Sequence, residues 1–354
     1  MTPAPIRVRS AAIALMIAAT IVAGCTQSKT NTSPPASPTP SATPSPSPVY
    51  LSPLSGLVAA VGEPVVVVKI DNSEASHPQA GLNDADVVYM EQVEGGLTRL
   101  AAVFSTHLPV EAGPARSARE SDIELLGAYG NAPLAFSGAN RGVVNLINNS
   151  RLVNASWDRV TSAYRRVNGR RAPYDLFVHP QEIAKAKADA AKAKNIGLTF
   201  GDVSGGQLVS DLSTRIATAK VAFHYDSPSK KWALSMDNRP SLLVGGAPVS
   251  ADNVIVQFIR VRGSRFSDVN GNVSPYSITT GLGPAIIFRD GRRFNATWKR
   301  PAPGDPTHYI GGNGLDVPLK AGTTWILLAT IGEKLNVTEV YDPTKASASP
   351  SATP

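Results

Sequence analysis

The sequence has few of the residues that identify several large protein classes. Its single cysteine, Cys25, excludes an internal disulfide framework and a cysteine-rich zinc site. After residue 25, no run is long and apolar enough to form a membrane-spanning helix, which needs about 20 residues. The spaced motifs G-x-S-x-G, H-E-x-x-H and G-x-x-x-x-G-K-[ST] are also absent. We therefore expect no cofactor, and whether the protein is an enzyme stays open.

The charged residues exclude one further class of partner. The chain has 34 Lys and Arg residues against 27 Asp and Glu residues, a formal net charge of +7. The positive charges are spread along the chain without a basic run, so we expect no nucleic-acid partner. A mild positive excess suits a protein beside an anionic membrane or cell wall.

The N-terminus predicts where the protein is located. Arg7 and Arg9 precede an apolar run over residues 11–23, and "VAGC" then ends on Cys25. This order resembles a bacterial lipobox, so we expect residues 1–24 to be a lipoprotein signal peptide. Cys25 would then carry a diacylglyceryl group and an acyl chain such as palmitate, which suffice for stable anchoring. The expected location is the extracytoplasmic face of the cell membrane; the alternatives are an ordinary secreted protein or a core cysteine.

Composition and periodicity predict an α+β fold with two domains. Helices are expected over 117–130, 141–149 and 179–195, alternating with strands in an α/β-type first half, whereas the second half reads as strands only. "EGG" at 94–96 and "DG" at 290–291 predict hairpin turns. The expected segments are a Ser/Thr/Pro-rich linker (25–50), an N-terminal domain (51–196), an inter-domain connection (197–217), a β-rich C-terminal domain (218–333) and a disordered tail (334–354).

Acidic and polar residues follow the apolar strand "VVVV". Asp71 and Asn72 end that strand, and Glu94 follows the next one. Strand alternation places Glu91 on one face with Val87 and Tyr89, so its carboxylate needs a partner. Arg99, across the hairpin, is the natural candidate. The pair is either structural or part of a ligand site, and the sequence leaves both open.

The segment "GPARSARESD" places two arginines around a serine. Arg116 and Arg119 flank Ser117 at the expected start of a helix, where guanidinium and free N–H groups suit an anion. In this hypothesis Ser117 or Ser121 caps the helix. The alternative is a structural one, in which the arginines pair with the acids of the preceding strands.

Two weaker hypotheses concern metal binding and sugar stacking. His77 lies among Asp71, Asp84 and Asp86 in the sequence, which makes a metal site conceivable, although we expect no metal. The second half also contains six aromatic residues on expected strands, which are either core or a sugar-stacking surface: Trp232, Phe258, Phe288, Phe294, Trp298 and Trp325.

Several long segments resemble a known family. They are "LSPLSGL", "KIDNSEASHPQAGLNDADVVYMEQVEGGLTRLAAVF" and "GPARSARESD" in the first half, and "FHYDSPSKKWAL", "ADNVIVQF", "IIFRDGRRFNATWKR" and "LKAGTTWI" in the second. Their order resembles the YerB-like lipoprotein family, a bacterial domain family of unknown function. The resemblance implies sheets packed against helices and a lipid-anchored extracytoplasmic location. It implies no reaction and no catalytic residues.

These observations lead to one preferred function and two alternatives. We expect a lipid-anchored envelope protein that binds an anionic or peptide-like ligand through Asp71, Glu91, Arg99, Arg116 and Arg119. The first alternative is an envelope hydrolase with Glu91 or Asp71 as general base. The second is a scaffolding or assembly factor that docks on another envelope protein through its second half.

Overall fold

The computed structural model describes residues 49–268 and 270–341. The expected signal peptide, Cys25, nearly all of the linker and the end of the tail lie outside the described residues. The described part belongs to one compact unit.

Strands dominate the described chain, with few helices. The first half contains β1 (Val66–Asp71), β2 (Val87–Gln92), β3 (Thr98–Phe104), β4 (Pro133–Ala135), β5 (Val153–Asn154), β6 (Tyr164–Arg166) and β7 (Leu176–Val178). Its helices are α1 (Ser121–Leu125), α2 (Arg141–Asn148) and α3 (Pro180–Ala186). The second half contains β8 (Gln207–Ile216), β9 (Ala219–Asp226), β10 (Lys231–Met236), β11 (Arg239–Pro240), β12 (Ser250–Ala251), β13 (Asn253–Ser267), β14 (Val273–Ile278), β15 (Gly281–Arg289), β16 (Arg292–Arg300), β17 (His308–Gly311), β18 (Thr324–Thr330) and β19 (Asn336–Glu339).

A mixed central sheet runs through both halves of the chain. Its strand order is β5-β4-β1-β3-β2-β18-β13-β15-β16-β17. The halves meet where β2 pairs with β18 in parallel, with Tyr89 opposite Ile326. The backbone hydrogen bonds between neighbouring strands therefore continue without a break from the first half to the second.

Smaller sheets complete the strand pairing. Strands β19, β8, β9, β10 and β12 form an antiparallel sheet in that order, with β11 also on β10. β14 pairs with the outer part of β13 as a hairpin, and β6 and β7 form a separate two-stranded ribbon. Both predicted hairpin turns are confirmed: β2 and β3 meet at Glu94–Gly96, and β15 and β16 meet at Asp290 and Gly291. Gly95 and Gly96 have φ of 68° and 72°, which favours glycine.

Two apolar layers lie on the two faces of the central sheet. Between it and the smaller antiparallel sheet, Trp325 packs edge-on against Phe223 with ring centroids 5.9 Å apart. On the other face, residues of α1 and α2 cover alternate side chains of β1, β2 and β3. Four of the six aromatic residues in question are buried, namely Trp232, Phe288, Trp298 and Trp325, which supports a core function rather than sugar stacking.

The predicted helix over 179–195 is wrong beyond Ala186. The segment is rich in Ala and Lys, which favour helix, but α3 spans only Pro180–Ala186. Val65 N donates instead to Ala191 O (3.0 Å), and Ala193 N donates to Glu63 O (2.9 Å). Residues 191–193 thus hydrogen-bond beside the start of β1, and this tertiary pairing outweighs local helix propensity.

Other elements also differ from the sequence-based expectations. α1 is shorter than the helix predicted over 117–130, and no side chain caps it: Glu120 occupies the N-cap position. β8 falls within the predicted connection, and β19 falls within the predicted disordered tail. The α/β alternation predicted for the first half does not hold in detail, because β1, β3 and β2 lie side by side and antiparallel.

The shared sheet predicts that the halves depend on each other for folding. If residues 49–205 and the remaining chain are expressed as two fragments, β2 loses its partner β18. Each fragment also exposes the apolar side chains that the other fragment covers in the two core layers. We expect neither fragment alone to unfold cooperatively in urea, and an equimolar mixture to recover a single transition. Circular dichroism would follow both. An N-terminal fragment that unfolds cooperatively alone, at the midpoint of the intact chain, would contradict this expectation.

Candidate functional site

Three charged side chains are buried together between α1 and the face of the central sheet that α1 covers. Lys69 lies on β1, Glu91 on β2 and Asp122 on α1, and all three side chains have zero exposure. Lys69 Nζ lies 2.6 Å from Glu91 Oε1 and 2.7 Å from Asp122 Oδ1. Ser121 Oγ donates to the other oxygen of Glu91 at 2.8 Å. These contacts hold α1 against the sheet.

Burial and neighbouring charge act in opposite directions on this cluster. Burial alone lowers the pKa of Lys69, but the two carboxylates outweigh it, so its pKa is raised. Burial raises the pKa of Glu91, but the Lys69 ammonium outweighs that effect, so its pKa is lowered. For Asp122 burial prevails, and Glu91 adds to it, so the pKa rises to about 6 despite Lys69.

The predicted partner of Glu91 is therefore wrong. Glu91 and Arg99 are directly opposite in the β2–β3 register, as expected, but Glu91 binds Lys69 instead. Lys69 lies two strands away, on the far side of β3, and its register neighbour there is Ala101. Because alanine is small, the long lysine side chain has room to reach Glu91. The sequence does not single out Lys69, because it follows directly on the apolar run of β1.

A second charged group lies beside the first. Asp71 Oδ1 lies 3.2 Å from Arg99 Nη1, and its Oδ2 lies 2.6 Å from Arg116 Nε. Asp71 is fully buried and also accepts from Ser73 N at 2.8 Å. The N–H of Arg116 Nε is not aligned for a hydrogen bond, so this contact is an ion pair. One carboxylate thus holds two guanidinium groups.

Arg99 is nine-tenths buried and incompletely hydrogen-bonded. Its exposure is 5%, and its Nε has no hydrogen-bond partner among the described residues. Nη1 donates to Thr98 O at 2.8 Å. Burial lowers the pKa of Arg99, and Asp71 opposes this effect while Arg116 and Arg119 add to it. This Nε is also shielded from solvent, so an anion in the cavity would reach Arg99 through its terminal nitrogen atoms.

Arg119 and Glu94 form a third pair. Arg119 Nε and Nη2 donate to the two carboxylate oxygens of Glu94, the shortest contact being 2.6 Å. Ser274, on β14, also donates to Glu94. Burial raises the pKa of Glu94, but these hydrogen bonds outweigh it, and the pKa is lowered. The carboxylate of Glu94 is therefore ionised at neutral pH, and both of its oxygens accept hydrogen bonds from Arg119.

Arginines of these pairs line a cavity of about 570 Å³. Of the sequence-predicted residues, the structure brings Glu94, Arg99, Arg116, Ser117 and Arg119 into its lining. Asp71, Asn72 and Glu91 are outside the lining and buried. Asn72 is hydrogen-bonded to Thr98 (2.8 Å) and Gln79 (2.9 Å). The acids therefore hold cations, whereas the arginines face the space.

The residues on the opposite side of the cavity were not predicted from the sequence. Ser137 and Asn140 come from the segment before α2, and Phe266, Asp268, Asn270 and Ser274 come from the β13–β14 hairpin. The hairpin is held on α1, since Glu120 pairs with Arg265 (2.6 Å) and Glu124 accepts from Tyr276 (2.9 Å). The hairpin lies more than 140 residues further along the chain, and no local motif marks it.

The expected helix N-terminal anion site around Ser117 is not formed as predicted. Ser121 binds Glu91, and Arg119 N donates to Asp122 Oδ2 at 2.7 Å. A backbone donor at the start of α1 is therefore already used inside the protein.

The metal candidates do not come together. Asp86 is buried and accepts from Thr106 N at 3.0 Å, whereas Asp84 is exposed. His77 lines a different surface pocket with Arg170. Across residues 49–268 and 270–341, no three His, Cys, Asp or Glu side chains are grouped closely enough to hold a metal ion.

The buried cluster predicts a large stability effect of Lys69. Lys69→Met removes the ammonium and leaves Glu91 and Asp122 buried without their cation, so the free energy of unfolding should fall by about 3–5 kcal/mol. Adding Glu91→Gln and Asp122→Asn should recover much of this loss. Urea unfolding of the three proteins measures both. A single variant as stable as the wild type would contradict the assigned ion pairs.

The raised pKa of Asp122 predicts a specific pH dependence. The folded-state pKa of about 6 exceeds the ordinary value of 3.8, so the folded state binds the proton more tightly. This contribution to stability is present below pH 4 and is lost as the pH rises through 6. Relative to Asp122→Asn, the wild type should lose of order 2 kcal/mol of unfolding free energy between pH 4 and 7. Urea titrations across this range would test it; a constant difference would contradict it.

Comparison with known proteins gives the family and the fold. "Protein of unknown function (DUF3048) N-terminal domain" matches residues 54–194, and the C-terminal domain of the same family matches residues 212–326. "Putative lipoprotein YerB" of Bacillus subtilis (strain 168) is 25% identical over 304 residues, covering 78% of this chain and 85% of that protein.

A solved structure agrees with the described fold. The crystal structure of the YerB protein from Bacillus subtilis matches with a TM-score of 0.68 at 21% identity, covering 81% of this chain and 99% of that one. The resemblance expected from the sequence segments is confirmed. The chain belongs to the YerB-like DUF3048 family, a family of unknown function.

Proposed function

We propose that this protein is anchored to the outer face of the cell membrane by a lipid on Cys25, and that it binds an anionic ligand of the cell envelope in the arginine-lined cavity. A charged headgroup, a phosphate or a carboxylate would meet Arg99 and Arg116 there.

The observation that carries the binding proposal is the arrangement around Asp71. One fully buried carboxylate holds Arg99 and Arg116, so their guanidinium groups carry one positive charge more than their partner. Beyond its contact with Asp71, Arg116 makes no hydrogen bond to a described residue through Nη1 or Nη2. Preoriented guanidinium donors next to an open cavity suit recognition of a carboxylate or phosphate.

Binding fits this geometry better than hydrolysis does. Glu91 and Asp71, the candidate general bases, are fully buried and paired with cations. Glu94 reaches the cavity, but both of its oxygens accept from Arg119. A general base must reach the proton that it removes, and these three carboxylates are engaged by cations.

The proposed anchoring rests on the N-terminal sequence and on the family. The charged and apolar segments before Cys25 follow the lipoprotein order, and the Bacillus subtilis relative is named as a lipoprotein. In the part of the chain that the structure describes, no helix has both the length and the apolar character to cross a bilayer.

Arg116→Gln should weaken anion binding without unfolding the protein. The side chain is about a quarter exposed and lines the cavity, so the variant removes charge and fork geometry at the site. We expect at least tenfold weaker binding of anions, equivalent to about 1.4 kcal/mol, measured by calorimetry with inorganic phosphate and citrate.

Arg239→Gln is the matched control for this experiment. Arg239 is 77% exposed, pairs with Glu74 and lies outside the cavity lining, so its loss lowers net charge equally. If both variants weaken binding to the same extent, the effect is one of overall charge and the cavity is not the site.

Cys25→Ser should release the protein from the membrane. Without the thiol no diacylglyceryl group can be attached, and the hydrophobic anchor is lost. We expect the wild type in the membrane fraction and the variant outside it. Fractionation of a bacterial host and immunoblotting of the fractions would measure this difference. A variant that stays in the membrane fraction to the same extent would contradict lipid anchoring through Cys25.

A further inference from the structure

We infer that the ligand of the arginine-lined cavity is a saccharide that carries a single anionic group, such as a carboxylate or a phosphate. This inference rests on the proposed function, because it assigns a chemical class to the ligand of the same cavity. Three properties of the lining carry it: the surplus positive charge of Arg99 and Arg116, the hydroxyl and amide groups, and one aromatic wall.

The charge of the lining limits the ligand to one anionic group. Arg119 is neutralised by Glu94, and one of the two charges of Arg99 and Arg116 is neutralised by Asp71. One positive charge therefore remains on the Arg99–Arg116 pair beside the cavity, while Asp268 balances it over the lining as a whole. A second anionic group on the ligand would meet the carboxylates of Glu94 or Asp268, which also line the space.

The size of the cavity accommodates a ligand larger than a simple anion. At about 570 Å³ it lies within the ~300–1,000 Å³ of small-molecule sites. Inorganic phosphate is only a few times larger than a water molecule, whose share of liquid volume is about 30 Å³. The anionic group therefore belongs to a larger molecule whose remainder fills the rest of the space.

The remainder of the lining suits hydroxyl groups. Away from Arg99 and Arg116, the polar part of the lining includes Ser117, Ser137, Asn140, Asn270 and Asp268, of which Asn140 and Asp268 also hydrogen-bond within the protein. Hydroxyl and carboxamide side chains both donate to and accept from sugar hydroxyl groups, and a carboxylate accepts from them, whereas a hydrocarbon tail would pair with none of these groups.

One aromatic ring supplies an apolar wall. Phe266 is half-buried, lines the cavity and packs so closely on Gly142 that a Cβ at that position would overlap its ring. The glycine thus lets the first turn of α2 hold the ring in place. A fixed ring offers a flat surface to the C–H face of a sugar, and Val143 extends this apolar surface.

Calorimetry tests whether the ligand is an anionic saccharide. Matched ligands are titrated into the full-length protein in detergent micelles. The probes are glucuronate, galacturonate, N-acetylmuramate and glucose 6-phosphate, compared with glucose, acetate and inorganic phosphate. We expect at least one anionic sugar to bind tenfold or more tightly than glucose, acetate and phosphate. Phe266→Leu, which keeps an apolar contact with Gly142, should weaken binding of that sugar severalfold and leave the simple anions unchanged.

The outcomes separate this inference from the proposed function. If acetate or phosphate binds as tightly as every anionic sugar, and Arg116→Gln abolishes that binding, the saccharide assignment is overturned and anion binding stands. If no anion binds, or if Arg116→Gln has no effect on binding, both are overturned. If glucose binds as tightly as the anionic sugars, the requirement for an anionic group is wrong.

Discussion

The structure depends on the pairing of charges that are buried on one face of the central sheet. Lys69 and Asp71 alternate with apolar residues along β1, so both point toward the face that α1 covers. A charge without a partner in such a place would be strongly destabilising. Lys69 therefore requires Glu91 and Asp122, and Asp71 requires Arg99 and Arg116. These requirements connect β1, β2, β3 and the segment leading into α1.

The cavity is a consequence of this pairing. Asp122 brings α1 onto the sheet, which also places Arg116 and Arg119 beside Arg99. Glu120 and Glu124 on the outer side of α1 then hold the β13–β14 hairpin, which closes the other side of the space. The first half of the chain thus supplies the guanidinium groups and part of the polar wall, and the second half supplies the aromatic ring and the rest of the polar wall. The β2–β18 pairing holds the two halves in register.

Local patterns in the sequence predicted the elements better than their partners. The β-branched run before Asp71, the hairpin turns at Gly95 and Gly291, and α2 follow from periodicity and turn chemistry. The helix after Ala186 could not be excluded, because its end depends on backbone bonds to residues 63–65. For the same reason the partner of Glu91 was missed: the reach of Lys69 across Ala101 depends on a strand order that the sequence does not state. Arg99, Arg116 and Arg119 could be grouped as one hypothesis because they are close in sequence, whereas Phe266 and Asn270 are far from them along the chain.

The most direct test of the account is the position of a bound anion. Asp71 holds Arg99 and Arg116 from the buried side, so an anion should bind both guanidinium groups on the side that faces the cavity. Crystals soaked in selenate would reveal it by the anomalous signal of selenium. The account predicts a peak within hydrogen-bond distance, about 2.7–3.2 Å, of Arg99 and Arg116 nitrogen atoms. Peaks confined to other surface arginines, with this cavity empty at high selenate concentration, would contradict it.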